Sequence, residues 1–289
     1  MSTVPAPEHA GASAGINHGK RFLIIWIVAS VIATPLVSIF VGDLLPPGDA
    51  TAQATEQVFD NSWLLTIVTP VFLFVLILLL YTLFAFRTRT TELVDGPPVR
   101  GDSRIQLLWM VITPAVVLFL AGFGSYELIQ SGAGGGQGPT AAFQPAGYKQ
   151  ALDVQVIGQQ WEFTYRYPTY GGVETPHLVL PAGTLVRLHV TSLDAVHSFW
   201  AYQLGVKADA NPGVDNIAYV QTKNPMTFDI HCAELCGLWH GYMFDTGQVV
   251  APSQFASWIK QQQSYFAPVE KFLPKYSTSY LPDPSRRAG

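Results

Sequence analysis

A chain of 289 residues has room for one or two domains, and its composition is split: 49% of residues are hydrophobic and only 12% charged, with the apolar ones gathered towards the N-terminus. That balance points to a membrane protein rather than a wholly water-borne one. A net charge of −4 comes with no nucleic-acid motif, internal repeat or phosphate-cradling glycine loop, so nucleic acid is not an expected partner.

An N-terminal segment, 1–21, precedes three stretches, 22–41, 63–86 and 105–126, that contain no Asp, Glu, Lys, Arg or His. Each is long enough to cross a hydrocarbon layer of about 30 Å as a helix. Lys20 and Arg21 precede the first stretch, and Arg87, Arg89, Arg100 and Arg104 lie between the second and third. The loop 42–62 has Asp43, Asp49, Glu56 and Asp60 but no basic residue. Because basic residues stay on the cytoplasmic side, the N-terminus is expected inside, and everything after about residue 130 outside, in the periplasm or its equivalent. The first stretch has a second reading, as a signal peptide cleaved near the small residues ATAQA at 50–54. Both readings leave the C-terminal domain outside.

A glycine-rich linker, 131–147, gives flexible reach. Beyond it the hydrophobic period changes to two: Leu152, Val154 and Val156, then Trp161, Phe163, Tyr165 and Tyr167, then Val186, Leu188 and Val190, then Met226, Phe228 and Ile230. Turn signals at 169–172, 181–183 and 211–213 bound these runs. The region 148–263 therefore reads as a β-sandwich or barrel closed by a short helix at 252–263, with an extended tail at 264–289.

Both cysteines of the chain fall in HCAELCGLWHGYM, 231–243. Cys232 and Cys236 are four apart, His240 is four further on and Met243 three beyond that, on the loop leaving the strand MTFDI. Thiolate and thioether sulfur favour Cu(I), and imidazole suits either copper state. A single blue copper needs one thiolate, whereas two thiolates can bridge two coppers that share an electron, lowering the reorganisation on electron transfer. His197, after the strand run 185–192 and its turn, is the best second imidazole. A local disulfide and a structural zinc site are the alternatives; Met243 is a poor zinc ligand and the spacing is unusual for zinc.

These residues resemble subunit II of the haem-copper cytochrome c oxidases, over about 55–263. The most specific part is Cys-x-Glu-x-Cys-Gly-x-x-His-x-x-Met, complete as Cys232, Glu234, Cys236, Gly237, His240 and Met243; VTSLDAVHSFW and GVKADANPGVDN are similar to the family's second segment. The resemblance implies a membrane-anchored, all-β cupredoxin-like Greek-key barrel behind a two-helix hairpin, here with an extra N-terminal span. It implies a dinuclear copper A centre bridged by Cys232 and Cys236, with His197 and His240 each on one copper, Met243 a weak ligand and Glu234 binding through its carbonyl. It also implies magnesium at the Glu234 side chain, shared with the catalytic subunit, and electron uptake at Trp161 in GQQWEFTYRY. The implied partners are a catalytic subunit I with haem and copper B, further oxidase subunits, a cytochrome c or similar donor, and the lipid bilayer of the inner (plasma) membrane. The implied activity is that of a cytochrome c oxidase, reducing oxygen to water with proton translocation.

Three features depart from the family pattern. Trp161 is followed by Glu162 and Phe163 instead of Tyr-Trp, Gln106 stands where many members carry a proton-path glutamate, and the first span is extra. Quinol oxidase subunits of this fold typically lack the copper ligands. A nitric oxide reductase subunit and a membrane-anchored copper carrier are the remaining alternatives, and a carrier needs neither the aromatic segment nor the glutamate. No Cys-x-x-Cys-His is present, so no fused c-type cytochrome is expected. Six basic against nine acidic residues between 148 and 260 give a mild bias towards a basic donor.

Overall fold

The computed structural model describes residues 17–44, 48–87, 101–130 and 143–270. Three long apolar helices come first: α1 (His18–Phe40), α2 (Ala52–Ala85) and α3 (Ser103–Gln130). They contain the three expected spans apart from single residues at two ends, and each is long and apolar enough to cross a membrane. Asn17 starts α1 by accepting a bond from Lys20 N at 2.9 Å, and Asp102 caps α3 through Arg104 N at 2.7 Å; both satisfy amides that lack a helical partner. Contacts between α1 and α2 are specific. Trp26 Nε1 donates to the Pro70 carbonyl at 2.8 Å, and the Phe22 and Phe74 rings meet edge-on at 5.1 Å.

The chain forms two compact units, one made of 1–44 with 61–98 and the other of 45–60 with 99–289. In the second unit, α2 begins eleven residues earlier than the expected span because its first turns, polar and small, are bound to the β domain. Thr51 Oγ1 donates to Leu204 O at 2.8 Å, Gln57 Nε2 to Gly205 O at 2.7 Å, and Gln221 N to Gln53 Oε1 at 3.0 Å. Gly205, at φ +68°, brings its backbone so close that an added Cβ would lie 3.0 Å from Ala54. ATAQA is thus part of the fold's hydrogen-bonded interior.

Ten strands build the β domain: β1 (Leu152–Gln159), β2 (Glu162–Tyr167), β3 (Val173–Thr175), β4 (Val179–Pro181), β5 (Leu185–Ser192), β6 (His197–Ala201), β7 (Val206–Ala210), β8 (Asn216–Gln221), β9 (Met226–Cys232) and β10 (Phe244–Val250). They form two five-stranded sheets, ordered β3-β2-β1-β5-β8 and β4-β10-β9-β6-β7. Pairing is parallel for β1 with β5 and β4 with β10, and antiparallel elsewhere. This is the cupredoxin-like sandwich. Period-two alternation sends Phe163, Tyr165 and Tyr167 of β2, Val206, Ala208 and Ala210 of β7, and Phe228, Ile230 and Cys232 of β9 into one core. Burial of these side chains, each stabilising by about 1.5–3 kcal/mol when fully enclosed, sets the register that the ligands inherit.

Two expectations need correction. The closing helix, α4 (Pro252–Glu270), runs past 263, so residues 264–270 are helical instead of extended. Its apolar stripe continues through Phe255, Trp258, Ile259 and Phe266 onto the barrel, and Gln263 Nε2 donates to Tyr170 O at 3.0 Å. The polar run Gln261 to Gln263 hides that continuity. Trp161 lies in the turn between β1 and β2, one residue before β2 begins. Most of 1–21, most of the linker 131–147, and the tail beyond 270 fall outside the described residues.

Candidate metal centre

The ligand residues reach one end of the barrel by three local routes. Cys232 is the last inward position of β9, so strand alternation aims its sulfur at the core. His197 is the first residue of β6 and fully buried. Between β9 and β10 the chain loops out and returns through a single 3-10 turn, His240–Tyr242, which leaves Cys236 and Met243 buried beside Cys232. Gly237, at φ +119°, makes the loop's reversal; a Cβ there would sit 2.8 Å from Gln160 Nε2 and 3.3 Å from the Trp161 ring. A second glycine makes room for a ligand. An added Cβ on Gly158 of β1 would lie 3.1 Å from the His197 imidazole.

The donor atoms converge. The two sulfurs are 3.7 Å apart, Cys232 Sγ lies 3.8 Å from His197 Nδ1, Cys236 Sγ lies 3.6 Å from His240 Nδ1, and Met243 Sδ is 3.7 Å from Cys236 Sγ. The Glu234 carbonyl is 3.2 Å from Cys232 Sγ. Atoms that each bond a metal at about 2.0–2.3 Å in tetrahedral geometry lie roughly 3.5 Å from one another. The set therefore has the spacing of a coordination shell. His197, Cys232 and Cys236 form the one group of ligating His, Cys or acidic side chains found among the described residues.

Electrostatics separate the two thiols. Burial pushes Cys232 up, but hydrogen bonding with His197, the Ser198 and Glu234 backbone and His240 outweighs it and holds the thiol below its ordinary value. Cys236 is pushed up by burial and by the adjacent Cys232 sulfur. A cation held by both sulfurs would remove that opposition, and both cysteines are free of a disulfide.

Several surrounding residues were not singled out by sequence reasoning. Asp194 Oδ1 holds His197 Nε2 at 2.9 Å, so Nε2 carries a proton and Nδ1 faces the sulfurs, an arrangement usual for metal-binding histidines. Asp194 Oδ2 also accepts from Gln160 N at 2.7 Å. The Cys236 carbonyl takes two bonds, from Gln160 Nε2 at 2.7 Å and from Trp161 Nε1 at 3.2 Å. The spacing Asp-x-x-His was the available signal for Asp194; Gly158 and Gln160 gave none outside the three-dimensional fold. Glu234 is exposed and belongs to no group of three or more ligating side chains among the described residues, so the expectation of magnesium finds no support in this chain. Gln106 sits in the first turn of α3, its amide bonded to Asp102 O at 3.0 Å.

Comparison with known proteins decides the family. Residues 173–250 match the family model described as "Cytochrome C oxidase subunit II, periplasmic domain" and residues 43–128 the "Cytochrome C oxidase subunit II, transmembrane domain". The chain belongs to the cytochrome c oxidase subunit II family. A Thermostichus vulcanus cytochrome c oxidase subunit 2 is 31% identical over 83% of this chain and 86% of its own. A Synechocystis cytochrome c oxidase subunit 2 is 28% identical over 90% and 89% respectively. Among solved structures, the periplasmic domain of subunit II of cytochrome oxidase from Bradyrhizobium japonicum aligns with 40% of this chain and 95% of its own, at 30% identity and a TM-score of 0.39. As a subunit II, the chain is a membrane protein with an attached cupredoxin-like domain. Its sulfur and imidazole cluster lies in the segment matched to the family's periplasmic domain.

Proposed function

We propose that the chain is the electron-accepting subunit of a cytochrome c oxidase, with Cys232, Cys236, His197, His240, Met243 and the Glu234 carbonyl holding two copper ions. The observation that carries this reading is the convergence of two sulfurs 3.7 Å apart, each flanked by its own imidazole. Copper bound there supplies a one-electron carrier between a cytochrome c and the haem of catalytic subunit I, where oxygen is reduced to water with proton translocation. Membership of the family supports the partners, and the softness of the donors supports copper over zinc.

The chain's own residues do four things. Cys232 and Cys236 neutralise the bound cations as thiolates. Asp194 fixes the His197 tautomer and ring plane. Gln160 and Trp161 tether the Cys236 carbonyl, keeping the loop from shifting with charge. The Trp161 ring, half-buried between solvent and this loop, offers a short bonded path from the surface to Cys236, and we assign it as the electron port.

We place the protein in the inner (plasma) membrane with the barrel on the periplasmic or outer face, following the basic residues beside the spans. The first span is retained in this reading, supported by the Trp26 to Pro70 bond and by the burial of ATAQA in the fold. Stopped-flow reduction by cytochrome c tests the function. The copper of the parent should be reduced in a fast second-order phase, and Trp161→Ala should keep its copper yet lose that phase by an order of magnitude or more. An unchanged rate in Trp161→Ala would move the port elsewhere, and no reduction of the parent would defeat the functional reading.

A further inference from the structure

Near the His18 end of α1 and the Ala85 end of α2, a cleft of about 630 Å³ opens between the two helices. That size falls within the usual range of ligand sites. Its two ends differ chemically. Ile25, Ile77 and Leu80 line an apolar end, while His18, Arg21 and Tyr81 stand nearer the helix ends, and none of the lining residues is acidic. The basic end is a built feature: His18 Nδ1 and the Tyr81 hydroxyl are in hydrogen-bond contact at 2.8 Å, and the Phe86 ring lies 4.9 Å from the His18 ring. Lys20 precedes Arg21, and Arg87 follows Ala85 by two residues, so further positive charge flanks the same end of the helix pair.

We propose that this cleft holds one anionic phospholipid, its phosphate against Arg21 and His18 and an acyl chain along Ile25, Ile77 and Leu80. An amphiphile with a negative head and an apolar body matches both ends at once, and neither a neutral lipid nor a free phosphate does. The orientation proposed above puts the basic end in the cytoplasmic leaflet, where anionic lipids are concentrated. The site exists only with α1 in place, which gives the extra span a role that the barrel's chemistry does not.

The oxidase containing the full chain is extracted in mild detergent, equilibrated with vesicles of phosphatidylcholine alone or with added phosphatidylglycerol, and examined by native mass spectrometry, with copper counted separately. One phosphatidylglycerol should stay on the parent, inorganic phosphate should not displace it, and phosphatidylcholine should not replace it. Arg21→Gln should weaken retention about fivefold, the effect of one basic residue near an anionic surface, and Ile77→Trp should abolish it by filling the apolar end. Copper content should match the parent in both variants, so a failure of the metal reading would show in copper and a failure of this one in lipid. Equal retention of the two lipids, equal retention in parent and both variants, a quinone or polypeptide in the cleft, or a mature chain lacking α1 would each overturn the proposal.

Discussion

His197 and His189 are both buried in the same barrel and both bonded to an aspartate, yet their second nitrogens meet different neighbours. His197 gives Nε2 to Asp194 at 2.9 Å and turns Nδ1 towards Cys232 Sγ. His189, on β5, gives Nδ1 to Asp215 at 2.9 Å and has Asp153 Oδ1 3.5 Å from Nε2, while Asp153 also takes Arg187 Nε at 2.6 Å. The first has a sulfur at its second nitrogen, where a metal would take the lone pair. In the metal-free chain burial lowers its pKa, but hydrogen bonds to Cys232 and Asp194 outweigh burial and raise it too. The second has carboxylates at both nitrogens and is drawn towards the cationic form. Burial lowers the His189 pKa, but hydrogen bonds to Asp153 and Asp215 more than reverse it. A buried imidazole therefore becomes a ligand or an ion-pair member according to what stands beside its second nitrogen.

The largest effect should come from removing a sulfur. Cys236→Ser takes away one bridging thiolate, and copper per chain after loading should fall from two to one or none, measured by atomic absorption, while thermal unfolding of the metal-free protein shifts little. A variant that still binds two coppers would end the bridging assignment. Asp194→Asn should act at one remove: the outer-shell partner is lost in charge but kept in shape, and copper affinity should drop by roughly 10–100-fold. The same exchange at Asp215 should leave copper affinity unchanged, which is the sharpest form of the contrast between the two histidines.

Acidity separates the clusters further. For Asp153, burial raises the pKa, but His189 and Arg187 bring it down to about 2. Its contribution to stability is present above the unfolded value of about 3.9 and is lost as pH falls towards 2. His189 is raised, so its contribution is complete below about 6.5 and fades as pH rises through its folded value. Together they should give the metal-free barrel its greatest benefit between about pH 4 and 6.5, on the order of 1–2 kcal/mol after screening. Asp215→Asn should flatten the upper side of that profile in thermal melts. A profile identical to the parent's would show that the ion-pair cluster contributes nothing to folding. Copper affinity should follow the opposite trend through neutrality, rising with pH because Cys236 must release a proton to bind.

Much of this was legible in one dimension because it depends on local period. Alternation along 226–232 is enough to put Phe228, Ile230 and Cys232 on one face, and the three charge-free runs announce the helices. The ligand spacing Cys232, Cys236, His240, Met243 is likewise local. What escaped depends on chain segments that meet only after folding. Asp194 reads as one acid among nine until its carboxylate is seen to join His197 to the β1–β2 turn. Gly158 matters because a ring 39 residues later occupies the place of its side chain. Residues 50–57 look like a linker or cleavage site, yet they bond to residues about 150 positions away. The helix end at 270 was missed because one apolar residue, Phe266, carries the stripe past three glutamines.

The central claim is that the loop 232–243, with His197, holds a pair of coppers rather than one metal. The full-length chain, loaded with copper and freed of excess, should contain two copper ions and show an electron paramagnetic resonance spectrum of one unpaired electron shared between two equivalent nuclei. One copper with a single-nucleus spectrum, or preferential uptake of zinc with no signal, would contradict it.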